Sequence, residues 1–186
     1  MFERFTKDAR DVVKEAVAQA ERAGAARVGA EHLLLALLDR EGSRASFALT
    51  ALGLDERREP VREALERARR RGGLTQAETD ALAGLGIDVP EIVARVEETH
   101  GPGALSEKRP RARWRGHRPF DRAAKDTLTG ALRTATARGH RHIGDEHLLL
   151  ALTARPGVPA EVLADHGVTH ASVTRVLYGD GEAEAG

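Results

Sequence analysis

Two short leucine runs stand out in the pattern of apolar and polar positions. Residues 33–38 read LLLALL and residues 148–152 read LLLAL, each directly after a charged pair, Glu31-His32 or Glu146-His147. Ahead of the first run, apolar residues recur at Ala9, Val12, Val13, Ala16, Val17 and Ala20, the spacing of one helix face. That helix is expected to begin after Thr6 and to stop at Gly24, a residue suited to a helix C-terminus. The leucine runs are expected to be the helices that build the core. A third helix is expected around Ala45 to Leu52, ending at Gly53. A fourth is expected after Asp55, whose carboxylate would accept the free N–H groups of its first turn.

Shifting the chain by 115 residues lays Phe5 to Leu37 on Phe120 to Leu152 with 14 identities in 33 positions. The matches include Gly24/Gly139, Gly29/Gly144, Glu31/Glu146, His32/His147 and the leucines, which makes this an internal repeat. Further on, LTALGLD lines up with LADHGVT, so each copy reads as about four helices. Between the copies, TQAE at Thr75 to Glu78 and DVPE at Asp88 to Glu91 are both capping boxes and predict two more helices. The stretch LAGLGIDVPEIVARV also echoes LTALGLDERREPVREAL, as though the insert duplicated the end of the first copy. A Gly/Pro/Arg-rich stretch without apolar period follows and reads as an exposed linker. The expected architecture is all-α: two pseudo-twofold-related four-helix repeats at residues 1–71 and 119–179, with a helical insert at 72–104. An Arg-rich linker at 105–118 and a disordered tail at 180–186 complete it.

Composition narrows the functional classes. Across 186 residues, 29 Lys plus Arg balance 29 Asp plus Glu, so no global field attracts nucleic acid or an anionic membrane. No cysteine is present, which removes disulfides, zinc-thiolate sites and a thiol nucleophile. The N-terminus lacks the apolar core of a signal sequence and the leucine runs are far too short to span a bilayer, so a cytoplasmic protein is expected.

Candidate chemistry centres on the Glu-His pairs. Two readings stand side by side. In one, each glutamate complements the positive end of its helix dipole and each histidine packs against the loop. In the other, two carboxylates placed alike in two repeats receive a cation such as guanidinium through parallel hydrogen bonds. Spacing alone does not decide. His140, His142, Glu146 and His147 offer metal-ligand types, but the first copy has Ala25 and Arg27 in the places of the first two, so no metal is expected. No nucleophile elbow and no phosphate-binding glycine loop exist, so neither an enzyme nor a cofactor is expected. In the linker, Lys108, Arg109, Arg111, Arg113, Arg115 and Arg118 surround Trp114, a pattern that could contact phosphates. The alternative to a protein-binding role is therefore a nucleic-acid-associated regulator. Overall neutrality weighs against it.

The RFT..A opening at Arg4 to Ala9, the G-x-E-H-LLLAL helix and its second copy resemble the Clp amino-terminal repeat domain, the docking domain of ClpC- and ClpA-type AAA+ unfoldases. That resemblance implies a non-enzymatic binding domain whose partners are degron peptides, adaptor proteins or a Clp ATPase, here expected as a stand-alone protein without ATPase modules. It also implies phosphoarginine as ligand, with Glu31 and Glu146 on the guanidinium and Arg4 and Thr6 on the phosphate of the Glu31 site. Cyclic-peptide antibiotics directed at ClpC would lie on an apolar patch matched by Phe2 and Phe120, and a sequestering role follows from that. Asp121 stands in the place of Thr6 in the second copy. Ala30 and Asp145 stand where the family has Thr before the glutamate. The first site is therefore expected to be the better phosphate receiver.

Overall fold

The computed structural model describes residues 2–106 and 118–179, with only the backbone of Phe2. The linker residues Lys108 to Arg115, the tail from 180 and the Phe2 side chain lie outside the described residues. Ten α-helices are present among those described, with no β-strand. The first repeat holds α1 (Lys7–Arg22), α2 (Ala30–Leu38), α3 (Arg44–Ala51) and α4 (Arg58–Arg70); the second holds α7 (Arg122–Ala137), α8 (Asp145–Ala154), α9 (Val158–Asp165) and α10 (His170–Tyr178). The insert is a hairpin of α5 (Gln76–Gly84) and α6 (Val89–His100).

Local chemistry accounts for the helix ends. Thr6 and Asp121 cap α1 and α7 by accepting from Ala9 N (3.2 Å) and Ala124 N (2.7 Å). Gly24 and Gly139 both take φ 68° just beyond the other end, where a side chain would strain. Asp55 departs from expectation. A single 3-10 turn, Asp55–Arg57, precedes α4, and the Asp55 carboxylate accepts from the Arg58 side chain (2.6 and 3.1 Å) instead of capping the helix with backbone contacts.

α2 and α8 lie at the centre. Leu33, Leu34, Leu37, Leu148, Leu149 and Leu150 are fully buried, and each such side chain contributes about 1.5–3 kcal/mol of transfer free energy. Around them α1 packs on α2 and α7 on α8, while α3 meets α8 and α10, and α4 meets α9. These cross-repeat contacts make one core of the two repeats. Two isolated parallel bridges, Phe5 with Ile143 and Val28 with Phe120, tie the start of each repeat to the loop before the other's leucine helix. No described helix is long and apolar enough to cross a membrane.

Candidate functional site

The G-x-E-H pattern is a compact way to start a helix. Gly29 and Gly144 are the N-caps of α2 and α8, with ordinary extended backbone. Each glutamate curls back over its own glycine, so a Cβ on Gly29 would land on the Glu31 carboxylate and one on Gly144 on that of Glu146. Glycine is thus required for space and not for a left-handed turn. The histidine closes the cap: Gly29 N donates to His32 Nδ1 at 2.9 Å, and Gly144 N to His147 Nδ1 at 2.8 Å. This is one half of a capping box, with imidazole in place of the usual carboxylate or amide, since glycine has no side chain to accept the return bond.

Because Nδ1 accepts in both rings, the neutral imidazole carries its proton on Nε2. Burial is the main cause holding both histidines neutral, with the His32 pKa lowered and that of His147 lowered to about 4. The close approach of each glutamate to its histidine (3.2 and 3.7 Å) is therefore not an ion pair. His147 Nε2 lies 2.8 Å from His140 Nδ1 and donates to it. His140, Glu146 and His147 converge closely enough to suggest a metal site. The lone pair of His147 is nevertheless spent on Gly144, and the Arg44 guanidinium sits on Glu146, so the trio reads as a hydrogen-bonded cluster.

Each glutamate faces elements of the opposite repeat, and here the expected partners are crossed. Thr6 N donates to Ile143 O (2.9 Å) and Ile143 N to Arg4 O (2.8 Å), which places Thr6 in the pocket of Glu146. Val28 N donates to Pro119 O (2.9 Å) and Asp121 N to Val28 O (3.0 Å), which places Asp121 in the cleft of Glu31. The expected pairing of Glu31 with Arg4 and Thr6 is thus corrected: the bridges exchange the helix starts between repeats. The side chain of Arg4 is exposed.

The two sites differ further at the third helix of the facing repeat. At Glu146, whose side chain is only 6% exposed, Arg44 Nη1 donates at 3.1 Å. Asp145 beside it is also buried and accepts from Ala45 N (3.2 Å), and burial, with Glu146 adjacent, raises its pKa. Around this pocket of about 530 Å³ stand His140, Arg141, His142 and Thr6. At the Glu31 cleft, about 390 Å³, the equivalents of Arg44 and Ala45 are Val158 and Pro159, and the equivalent of Asp145 is Ala30. Proline has no N–H to offer, so no carboxylate is needed there. Glu31 is 37% exposed and shares the cleft with Asp121 and an apolar wall of Leu65, Leu152, Val158 and Pro159. Arg69 and Arg155 also line it. Glu66 holds the first with two hydrogen bonds (2.8 and 2.9 Å), and Asp126 holds the second (2.9 Å).

The sequence reading missed Arg44. The signal available was its alignment with Val158 at the first position of equivalent helices, alongside the exchange of Asp145 and Ala45 for Ala30 and Pro159. Phe120 is half-buried against the edge of the core. Arg118 of the basic linker donates to the Ala25 carbonyl and so is engaged with the fold.

The family model described as the Clp repeat (R) N-terminal domain matches residues 4–83 and 119–184. The chain belongs to this Clp N-terminal repeat family. Chaperone protein ClpC1, chloroplastic, of Arabidopsis thaliana is 30% identical over 184 residues, which is 98% of this chain and 16% of that protein. The negative regulator of genetic competence ClpC/MecB of Bacillus subtilis is 29% identical over 170 residues, 91% of this chain and again 16% of the relative. The chain thus spans about one-sixth of the length of these curated relatives. The crystal structure of the N-terminal domain of ClpD from Arabidopsis thaliana superposes with a TM-score of 0.51 at 18% identity, covering 95% of this chain and 94% of that one. That likeness concerns the fold. The family match leaves residues 84–118, including α6, outside it.

Proposed function

We propose that this chain is a non-enzymatic docking module of the Clp system, and that it captures arginine-bearing segments of client or adaptor proteins in the Glu31 cleft. The observation that carries the reading is the pair of carboxylates, Glu31 and Asp121, lining one apolar-walled cleft between the repeats. A guanidinium matches a carboxylate with parallel charge-assisted hydrogen bonds, and the wall suits the side chain's methylenes and its neighbours. A phosphorylated guanidinium suits this cleft less, because Asp121 brings a negative charge where Thr6 would bring a hydroxyl donor. The Glu146 pocket is read as structural, its carboxylate already holding Arg44. Captured ligands would be presented to a Clp ATPase or, with the module in excess, kept from it, which keeps the sequestering role within this reading.

The test is a titration of the chain with an arginine-bearing peptide, its phosphoarginine form and a ClpC-directed cyclic peptide, repeated with Glu31→Ala, Glu146→Ala and Phe120→Ala. The expected result is preference for the plain arginine peptide and its loss in Glu31→Ala. No binding by the folded protein to any of the three would end the docking proposal. Preference for the phosphorylated form would restore the phosphoarginine assignment.

A further inference from the structure

The insert hairpin repeats a unit that occurs twice elsewhere in the chain. After α3, α5 and α9 the backbone closes with the same bond: Leu54 N to Leu49 O (3.0 Å), Ile87 N to Leu82 O (2.9 Å) and Val168 N to Leu163 O (2.9 Å). In each, the intervening glycine, Gly53, Gly86 or Gly167, has φ between 73° and 81°. The helix that follows carries an apolar residue four positions after its N-cap: Val61, Ile92 and Val173. In the two repeats these positions are core. Leu54 is 1% exposed and Val61, Val168 and Val173 are 0%. In the insert the equivalent Ile87 is 40% exposed and Ile92 46%, and Leu85 beside them at the tip is 78% exposed. The hairpin is held at its other end, where Glu161 accepts from Gln76 N (2.6 Å) and Ala77 N (3.1 Å).

Charge says what suits this tip. Residues 75–100 carry six carboxylates, Glu78, Asp80, Asp88, Glu91, Glu97 and Glu98, against one guanidinium, Arg95, within a chain that is neutral as a whole. The corresponding stretch of the first repeat, residues 43–71, has eight arginines against five carboxylates. Pairing two copies through this hairpin would bring like charge to like, and an anionic membrane or nucleic acid would be repelled. We propose that the tip of the α5–α6 hairpin, at Leu85, Ile87 and Ile92, is a second docking surface, and that its occupant is a basic amphipathic segment of a partner protein. Such a segment lays apolar side chains on the three exposed residues and its cations against Asp88 and Glu91, which adjoin Ile87 and Ile92.

The probe is a synthetic amphipathic Leu/Lys helical peptide, with a Leu/Glu peptide of the same pattern as control, followed by fluorescence anisotropy on the full chain. The Leu/Lys peptide is expected to bind and to weaken as salt is raised. Ile87→Ser with Ile92→Ser should weaken it by about tenfold or more, since two apolar anchors are removed. Leu85→Ser and Glu91→Lys should weaken it less, and Glu31→Ala should leave it unchanged. Circular dichroism melts of the serine variants should match the parent, because these side chains are exposed. Unchanged binding in both the double variant and Leu85→Ser, or equal binding of the Leu/Glu peptide, overturns the proposal. So does a dimer in sedimentation velocity that the double variant abolishes, which would assign the tip to a second copy.

Discussion

At the Glu31 cleft the facing repeat presents Val158 and Pro159; at the Glu146 pocket it presents Arg44 and Ala45. The helix start itself is shared, from the glycine that makes room for the carboxylate to the imidazole that accepts its N–H. The main difference lies in what the other repeat brings to that start: its third helix, and Asp121 in place of Thr6. Where it brings a guanidinium and a free N–H, Glu146 and Asp145 are buried as a stitch between repeats. Where it brings an aliphatic residue and a proline, Glu31 lines a cleft with its side chain 37% exposed. One motif serves as a cross-repeat fastener at Glu146, and in the function proposed above it serves as a ligand receiver at Glu31.

The comparison is most strongly stressed by acid. In the unfolded chain His147 titrates near 6.5, whereas in the fold burial holds it neutral down to about 4. Between those values the unfolded state binds more protons, so stability is full above about pH 6.5 and falls as pH drops toward 4, by about 3 kcal/mol from this residue. His32 adds in the same direction. Asp145 opposes them, since its raised pKa lets the folded state take up a proton more readily. Denaturant melts across this range should show the loss, and His147→Gln, which keeps an acceptor for Gly144 N, should flatten it.

Substitution of the glutamates comes next in size. Glu146→Ala removes a buried acceptor that joins the repeats and should cost about 1–3 kcal/mol. Glu31→Ala should lie within about 0.5 kcal/mol of the parent, as befits a partly exposed group. Equal losses in urea melts would erase the fastener-receiver distinction. Arg44→Ala should cost less than Glu146→Ala, about 0.5–1 kcal/mol, because that side chain is half exposed. Its sharper effect is on binding: with its internal guanidinium gone, the Glu146 pocket should begin to accept an arginine peptide. Asp121→Thr exchanges one good helix cap for another and should change stability by only a few tenths of a kcal/mol. It should raise affinity for phosphoarginine relative to arginine at the Glu31 cleft.

Local chemistry is legible in the amino-acid sequence. Glycine caps, the 3.6-residue period and the repeated G-x-E-H pattern placed the helices of both repeats, and the caps Thr75 and Asp88 placed α5 and α6, with only Thr75 and Glu78 closing a reciprocal box. What sequence alone did not carry was the exchange of helix starts. Residues 4–6 and 143 are far apart in the chain and meet through two backbone hydrogen bonds that leave no side-chain signature. Pairing Glu31 with Thr6 assumed that each repeat completes its own site. Asp55 misled for a related reason: it fits the pattern of a helix cap, yet Arg58 takes its carboxylate and a 3-10 turn intervenes.

The most direct test of the receiver assignment is an NMR titration of the labelled chain with an arginine-bearing peptide, comparing parent, Glu31→Ala and Glu146→Ala. Shifts should concentrate on residues around Glu31, Asp121 and Val158, vanish in Glu31→Ala and persist in Glu146→Ala. Shifts centred on Thr6, Arg44 and His140, lost in Glu146→Ala and kept in Glu31→Ala, would contradict it.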